Sequence, residues 1–242
     1  MVLAAGKGTR LFPLTGEIPK PMAPVVDTPI IRHIFDLLAR HGVSEAYVNV
    51  HYLADALLAA YGEKSRTNGM TARLVREEQL TGTAGGVKHL AGVVERTSGG
   101  FDEPFVVVSG DALTDVDIQG LVSFHKEKGA LATVALHRVY DTSEFGVVEI
   151  DEEGNISGFQ EKPDPKEAIS TLANSGVYVF EPGVLEYIPE NTFFDFARDV
   201  FPLLLEVGEK FVGYQGDFYW SDIGTLEAYR QAQYDVLSGR VR

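Results

Sequence analysis

Cysteine is absent from the 242-residue chain, and tryptophan occurs once. A chain without thiols forms no disulfide bonds and no thiolate metal sites, which is typical of proteins that stay in a reducing compartment. We therefore expect a cytoplasmic protein.

Long hydrophobic runs are also missing, and no apolar stretch approaches the roughly 20 residues that a membrane helix requires. The apolar start, Met1–Ala5, lacks the preceding basic residues of a signal peptide and is predicted to be a strand. Basic residues are few, with 21 Lys and Arg against 35 Asp and Glu, for a formal net charge of −14. Because such a surface repels polyanions, we expect neither nucleic acid nor a membrane as a partner.

Short apolar strand patterns alternate with amphipathic helix patterns through the first half of the chain. Strands are predicted at Val2–Ala5, Ala46–Val50, Thr71–Val75, Phe105–Ser109 and Ala132–Val139. Helices are predicted over "IIRHIFDLLARHG", entered through Thr28 and Pro29, and over "LADALLAAYG", "AGGVKHLAGVVE" and "DVDIQGLVSFHKEKG". This alternation predicts an α/β fold with a mostly parallel sheet flanked by helices.

After about residue 136 the pattern becomes antiparallel. "FGVVEIDEEGNISGFQEKP" indicates a hairpin, "NSGVYVFEP" and "FVGYQG" two further strands, and "FFDFARDVFPLLLEVG" and "TLEAYRQAQYDVL" two helices. Linkers and repeats are missing. We therefore predict one domain over residues 1–242, with one part over about 1–136 and a second over 137–242.

The opening loop, "GKGTRLFPLTGEIPKP", concentrates glycines and cations in an acidic protein. It matches neither the P-loop nor the dinucleotide fingerprint, because Gly8 follows Lys7 and Leu11 stands where the third glycine is required. Glycines still let backbone N–H groups approach an anion, and Arg10 offers a planar fork for phosphate. An ordinary strand-to-helix turn is the alternative, but Lys20 between two prolines favours an anion site.

Two carboxylates follow strand patterns in separate loops. Asp111 lies in "SGDALTD" and Asp222 in "YWSDIGT", whereas Asp115 and Asp117 are typical of a helix start. Alone, each is a weak signal, since Gly-Asp turns and helix-start acids are common. Together Asp111 and Asp222 suit one Mg²⁺, which takes one or two protein carboxylates along with substrate phosphates.

Two further segments carry weaker signals. "GFQEKPD" holds a Glu-Lys pair at a strand end, and a solvated surface pair is an equally good interpretation. "EEQLTGTAGGVKHL" places glycines and hydroxyls at a helix start, where a flat base could lie against the backbone. The six histidines show no metal-ligand spacing.

In order along the chain, these motifs resemble the sugar-1-phosphate nucleotidyltransferases, and most of all the mannose-1-phosphate guanylyltransferases. The motifs are "LAAGKGTRLFPLTGEIPKPM", "GTAGGVK", "SGDALTD", "FGVVEIDEEG", "EKP", "NSGVYVF" and "WSDIGT". Glucose-1-phosphate thymidylyl- and uridylyltransferases share most of this signature. Many relatives continue into a β-helix, so we expect either a catalytic domain of a longer protein or a short member.

The resemblance implies a Rossmann-like fold with a smaller antiparallel sugar-binding lobe. It also implies transfer of a nucleoside monophosphate from an NTP to a sugar 1-phosphate, with pyrophosphate as product. The implied cofactor is Mg²⁺, and the expected NTP is GTP. By the same resemblance, residues 1–136 are expected to bind the nucleotide. Residues 137–242 are expected to bind the sugar phosphate and to include the closing helix. A homo-oligomer is left open.

The same resemblance implies roles for individual residues. The implied catalytic set is Arg10, Lys20, Asp111, Lys162 and Asp222, with Asp111 and Asp222 holding the metal. The implied nucleotide contacts are Ala5, Gly6, Gly8, Thr9, Glu78, Gln79, Gly82, Thr83 and Gly85. The implied sugar-phosphate contacts are Gly146, Glu161, Lys162, Asn174 and Val177.

Two other classes remain as alternatives. A catalytically silent homologue that binds sugar nucleotide would be expected to lose members of the catalytic set, all of which are present. A glycosyltransferase of similar fold would use an Asp-x-Asp motif, which "DVD" at 115–117 matches only by letter, since it lies beyond the Gly-Asp turn.

Overall fold

The computed structural model describes residues 1–241. The α-helices are α1 (Ile30–Arg40), α2 (Ala54–Tyr61), α3 (Gly82–Ser98), α4 (Ile118–Lys128), α5 (Phe201–Val207) and α6 (Leu226–Leu237). The strands are β1 (Val2–Leu3), β2 (Pro24–Val25), β3 (Thr28–Pro29), β4 (Glu45–Val50), β5 (Lys64–Thr67), β6 (Met70–Arg76), β7 (Phe105–Ser109), β8 (Ala112–Thr114), β9 (Ala132–Arg138), β10 (Gly146–Ile150), β11 (Ile156–Glu161), β12 (Leu172–Phe180), β13 (Phe211–Gln215) and β14 (Trp220–Asp222). Short 3₁₀ helices cover Thr9–Leu11, Leu14–Gly16, Lys20–Met22 and Pro182–Tyr187, and a π-helix covers Phe196–Val200.

The chain forms two compact units that are interleaved in sequence. The first comprises Met1–Leu80, Val108–Val116 and the chain from Phe218 on, and the second comprises Thr81–Val107 and Asp117–Asp217. We predicted one catalytic domain whose two parts are divided near residue 136. This division stays a prediction.

The first unit is built on a mostly parallel sheet. β1 pairs in parallel with β4 and with the last two residues of β7, and β4 pairs in parallel with β6, while β5 closes the edge antiparallel to β6. Continuously apolar strands favour this buried arrangement, and Val2, Val48 and Val50 are fully buried. The carboxyl ends of β1, β4, β6 and β7 therefore meet at one edge, which brings the residues that follow each strand together.

The second unit carries a mostly antiparallel sheet in the order β11, β10, β12, β9, with β13 parallel to β9. Its core is aromatic, with Phe180 stacked on Phe196 at 4.9 Å between ring centroids and Phe201 on Phe211 at 4.8 Å. Offset ring pairs add to the hydrophobic contribution of such large side chains. The predicted α/β class, with a parallel and an antiparallel portion, is confirmed.

Local details differ from the sequence predictions at two helix starts. Thr28 and Pro29 form β3 instead of opening a helix, and α1 begins at Ile30. Asp117 caps α4 as predicted, accepting from Gly120 N, but Asp115 lies outside the helix and accepts from Tyr219 N at 2.6 Å. The prediction that Asp115 is a helix-start charge was wrong because its partner is distant in sequence. Over residues 1–241, the helices are all too short or too polar to span a membrane.

Candidate active site

The glycine-rich loop leaves β1 at the carboxyl edge of the first unit's sheet. Gly8 has a left-handed backbone, φ +61°, and a Cβ there would lie 2.8 Å from Lys20 Cβ, so only glycine fits. The Gly8 carbonyl accepts from Thr15 Oγ1 at 2.8 Å and from Leu11 N at 3.0 Å. Gly6, by contrast, has nothing within 4 Å of an added Cβ. The loop is thus fixed at Gly8 and open at Gly6.

Lys20 lies in a 3₁₀ turn preceded by Pro19 and continued by Pro21, as the sequence predicted for a held cation. It is 5% exposed. Its Nζ donates to Asp111 Oδ2 at 2.8 Å and to Asp222 Oδ1 at 3.2 Å. Burial lowers the pKa of Lys20, but the two carboxylates outweigh it and the net direction is upward. The ammonium therefore stays charged across the physiological range.

Strands β8 and β14 bring the two carboxylates together. They pair antiparallel with Asp222 opposite Ala112, and Ile223 N donates to Asp111 O at 3.3 Å. Burial first, and the charge of Asp111 second, raise the pKa of Asp222, against the lowering effects of Lys20 and Arg10. Two close carboxylates in a partly desolvated site favour a bound cation.

Arg10 completes the cluster, with Nη2 3.5 Å from Asp222 Oδ2 and about half of its side chain exposed. Gly224 makes room for this contact, because a Cβ there would lie 2.7 Å from Asp222 Oδ2 and 3.0 Å from Arg10 Nη2. We call Arg10, Lys20, Asp111 and Asp222 the ion cluster.

A cavity of about 180 Å³ opens beside the ion cluster. It is lined by Leu3, Ala4, Gly6, Gly8, Thr9, Arg10, Lys20, Pro21, Asp111 and Gly224. A larger groove of about 510 Å³ runs along α3 in the second unit, and Gly85 is the predicted site residue in its lining. We assign the candidate active site to the smaller cavity, because fixed charges of both signs converge there.

The ion cluster can be tested for a fit to Mg²⁺. Lys20 uses one oxygen of each carboxylate, which leaves the second oxygen of Asp111 and the second oxygen of Asp222, the latter 3.5 Å from Arg10 Nη2. These are the hard donors that Mg²⁺ prefers, and that ion commonly binds one or two carboxylates while substrate oxygens and water complete its shell. Within residues 1–241, no group of three or more His, Asp or Glu side chains is placed to hold a metal. The donor set fits a metal shared with a phosphate ligand.

The segment after β6 contains a residue that the sequence analysis missed. Glu78 and Gln79, the predicted base contacts, are exposed. The preceding Glu77 is buried and accepts from Asn49 Nδ2 at 3.0 Å. The only sequence signal was a charged pair at the end of a strand pattern, which does not tell which acid points inward.

In the second unit, the predicted glycine turn opens α3. Gly82 has φ +79°, and a Cβ there would lie 2.4 Å from Phe194 O. Phe194 O accepts from Ala84 N and Gly85 N, and Thr83 Oγ1 donates to Asp195 Oδ2 at 2.8 Å. These glycines are therefore required by packing against the 192–195 segment, and their contact with a base stays a prediction.

Three of the predicted sugar-phosphate residues lie together at the β10–β11 pair. Gly146 is opposite Glu161, and a Cβ on Gly146 would lie 2.9 Å from Glu161 Oε2. Lys162 has φ +50° and its Nζ is 3.9 Å from Glu161 Oε1. Burial raises the pKa of Glu161, opposed by Lys162, with Asp195 raising it further and Arg198 lowering it.

The other two lie on β12. Asn174 uses its side chain at an irregularity of the strand, accepting from Gly176 N at 2.9 Å and donating to Tyr178 Oη at 3.0 Å. The Val177 side chain is fully buried. Their roles toward a sugar stay predictions.

Comparison with known proteins identifies what this chain is similar to. A model of the nucleotidyl transferase family matches residues 1–239. A UTP–glucose-1-phosphate uridylyltransferase from Synechocystis sp. is 40% identical, covering 100% of this chain and 64% of the relative. A mannose-1-phosphate guanylyltransferase from Mycobacterium tuberculosis is 36% identical, covering 99% of this chain and 64% of the relative.

The chain thus spans a little under two thirds of the length of these curated relatives. A crystal structure of UDP-glucose pyrophosphorylase complexed with UDP-glucose matches with a TM-score of 0.80 at 25% identity, covering 99% of this chain and 98% of that chain. The predicted fold is confirmed. The chain belongs to the nucleotidyl transferase family, among the sugar-1-phosphate nucleotidyltransferases.

Proposed function

We propose that this chain transfers a nucleoside monophosphate from an NTP to a sugar 1-phosphate, giving an NDP-sugar and pyrophosphate. The observation that carries the proposal is the buried ammonium of Lys20, held 2.8 Å from Asp111 and 3.2 Å from Asp222 beside an open, glycine-lined cavity. A cation fixed in this way is suited to stabilise charge that develops on a phosphate, because it needs no reorganisation during the reaction.

The chemistry needs no general base. The attacking group is a phosphate oxygen of the sugar 1-phosphate, which is already ionised at neutral pH. In-line displacement at the α-phosphorus then depends on positioning two polyanions and on neutralising their charge. Arg10 and Lys20 supply the fixed cations on the nucleotide side, and Lys162 is proposed to pair with the sugar phosphate.

The charge balance of the ion cluster supports a bound Mg²⁺. With both carboxylates ionised, the two cations of the ion cluster are cancelled by Asp111 and Asp222, so the cluster alone has no net charge for a polyphosphate. Mg²⁺ held by Asp111 and Asp222 would supply charge neutralisation at the phosphate oxygens as a Lewis acid. We therefore propose a Mg²⁺-dependent enzyme.

Three substrate pairs are proposed for the first tests. GTP with mannose 1-phosphate follows from the motifs "GTAGG", "EFGVVEIDEEGNISGFQEKP" and "YWSDIGTLEAY". UTP with glucose 1-phosphate is the second candidate, because the 40%-identical relative is named a uridylyltransferase for that sugar phosphate. Thymidylyl transfer to glucose 1-phosphate completes the set.

Pyrophosphate release with GTP, UTP, dTTP and ATP, each paired with mannose 1-phosphate and glucose 1-phosphate, tests the proposal. We expect turnover with at least one pair in Mg²⁺ and none after EDTA. Binding of the nucleotide without turnover by any pair would favour a catalytically silent homologue instead. Turnover that persists in EDTA at the same rate would refute the proposed dependence on Mg²⁺.

A further inference from the structure

Asn49 lies at the carboxyl end of β4, 3% exposed, and contacts the start of the glycine-rich loop. Ala4 N donates to Asn49 Oδ1 at 2.8 Å. A backbone N–H can only donate, so the oxygen of the amide must face Ala4, and the Nδ2 group is left for another acceptor.

That acceptor is a buried carboxylate on the neighbouring strand end. Asn49 Nδ2 donates to Glu77 Oε1 at 3.0 Å, and Glu77 is also 3% exposed. The Glu77 backbone is held as well, since its N donates to Val50 O at 2.9 Å and its carbonyl accepts from His51 Nδ1 at 2.8 Å. One asparagine thus links the ends of two strands through both of its polar atoms.

The two ends that Asn49 links lead into different predicted parts of the nucleotide site. Ala4 precedes the loop over 5–10 at the phosphates, and Glu77 precedes Glu78 and Gln79 at the base. We propose that Asn49 is a positioning residue that fixes the spacing between the phosphate loop and the base-contacting segment. This inference rests on the proposed function, because it assigns nucleotide affinity to that spacing.

The bond between Asn49 and Glu77 is suited to this role. Both partners are buried, and a buried polar group that loses its hydrogen bond pays its full desolvation penalty, so this bond resists displacement. The partners of Asn49, Ala4 and Glu77, belong to the first unit, whereas the proposed sugar-phosphate residues belong to the second, so its loss is expected to affect the nucleotide and not the sugar phosphate.

The test compares three variants in the pyrophosphate-release assay, with the pair that the wild type turns over among GTP with mannose 1-phosphate and UTP with glucose 1-phosphate. Asn49→Ala removes both bonds. The double variant Asn49→Asp, Glu77→Gln keeps both bonds with the donor and acceptor of the pair exchanged. Asn68→Ala is the matched control, because Asn68 also donates to a carboxylate, Asp36, but at an exposed position.

We expect Asn49→Ala to raise the KM for the nucleotide about tenfold or more, because both of its buried hydrogen bonds are lost. The KM for the sugar 1-phosphate should stay within about twofold, and the double variant should return the nucleotide KM to within about threefold of wild type. If Asn49→Ala does not fold, Glu77→Met, which breaks the Glu77 end alone, is judged by the same criteria.

Three results would overturn the inference while leaving the proposed function intact: a nucleotide KM equal to that of the Asn68→Ala control, an equal rise in both KM values, or a double variant as defective as Asn49→Ala. An inactive wild type with every pair would refute the proposed function and this inference with it.

Discussion

Replacing Asp222 with asparagine separates the role of this carboxylate in the proposed reaction from its role in the fold. Asp222 ends β14 and contacts Lys20 through Oδ1 at 3.2 Å and Arg10 through Oδ2 at 3.5 Å. Asparagine has the same shape and keeps one oxygen that accepts from Lys20. The change removes the charge and one of the two carboxylates that are proposed to hold Mg²⁺.

The effect on stability follows from the direction of the pKa. Burial, followed by the charge of Asp111, raises the pKa of Asp222 above its ordinary value of 3.8. Its contribution to the free energy of unfolding is therefore present below pH 3.8 and is lost as the pH rises through the folded-state pKa. Because that net direction already includes the attraction of Lys20 and Arg10, the ionised form of Asp222 costs stability even with both partners in place. We expect Asp222→Asn to unfold within about 1 kcal/mol of wild type at pH 7.

The effect on turnover should be much larger. Losing one preorganised donor that stabilises transition-state charge typically costs about 2.7–4 kcal/mol, or about 10²–10³ in rate, and we expect a loss of similar size at the proposed site. The assay is pyrophosphate release across a Mg²⁺ titration, with unfolding by urea measured on the same preparations. Asp217→Asn is the matched control, since Asp217 is exposed and five positions away in sequence.

Two results would refute this reasoning. If Asp222→Asn turns over within about threefold of Asp217→Asn, at the same half-saturating Mg²⁺, then Asp222 neither holds the metal nor stabilises the transferred group. If the variant loses several kcal/mol of stability at pH 7, the carboxylate is a structural ion-pair partner and the sign of its pKa effect on folding has been misjudged.

Removing the Lys20 charge with Lys20→Met should move the titration of Asp222 to higher pH, because the ammonium lowers the pKa of that carboxyl; an unmoved ¹³C carboxyl titration would contradict this. Gly224→Ala should lower turnover about tenfold or more with little loss of stability, since its Cβ would lie 2.7 Å from Asp222 Oδ2 and displace one charge contact; a wild-type rate would show that the contact is dispensable. Gly8→Ala should lower the free energy of unfolding by about 1–2 kcal/mol through its left-handed backbone, with the clash against Lys20 adding to it. Gly6→Ala should leave stability unchanged and raise the nucleotide KM. Equal unfolding curves for Gly8→Ala and Gly6→Ala would contradict these two predictions.

The sequence predicted those parts of the candidate site whose signal is local. The pairing of Lys20 with flanking prolines predicted a held cation, and its side chain is indeed buried against two carboxylates. Strands β8 and β14, which are among those that the sequence did not predict, are three residues long, too short for a recognisable period, although their pairing brings Asp111 and Asp222 together.

Residues with distant partners could not be predicted in this way. Asn49 lies inside an apolar strand pattern, where an amide is conspicuous, but its two partners are 45 and 28 positions away. The prediction for Asp115 was wrong for the same reason. A short acidic residue before a helix is normally explained as a helix-start charge, but Asp115 instead accepts a hydrogen bond from Tyr219 N. Local propensity assigns such residues to caps whenever a helix follows, and only the tertiary fold shows otherwise.

The glycines of the candidate site show why a glycine-rich motif is an ambiguous sign of ligand contact. Gly8 and Gly224 are glycine because protein atoms of the ion cluster approach them, at 2.8 Å from Lys20 Cβ and 2.7 Å from Asp222 Oδ2. Gly6 has no such neighbour, yet it lines the cavity. In the proposed function, close approach of backbone to a phosphate would explain Gly6 alone, whereas the other two would serve the ligand indirectly by letting the fixed charges converge. The motif combines one glycine open to a ligand with others that allow Lys20, Arg10 and the carboxylates to come within hydrogen-bond distance.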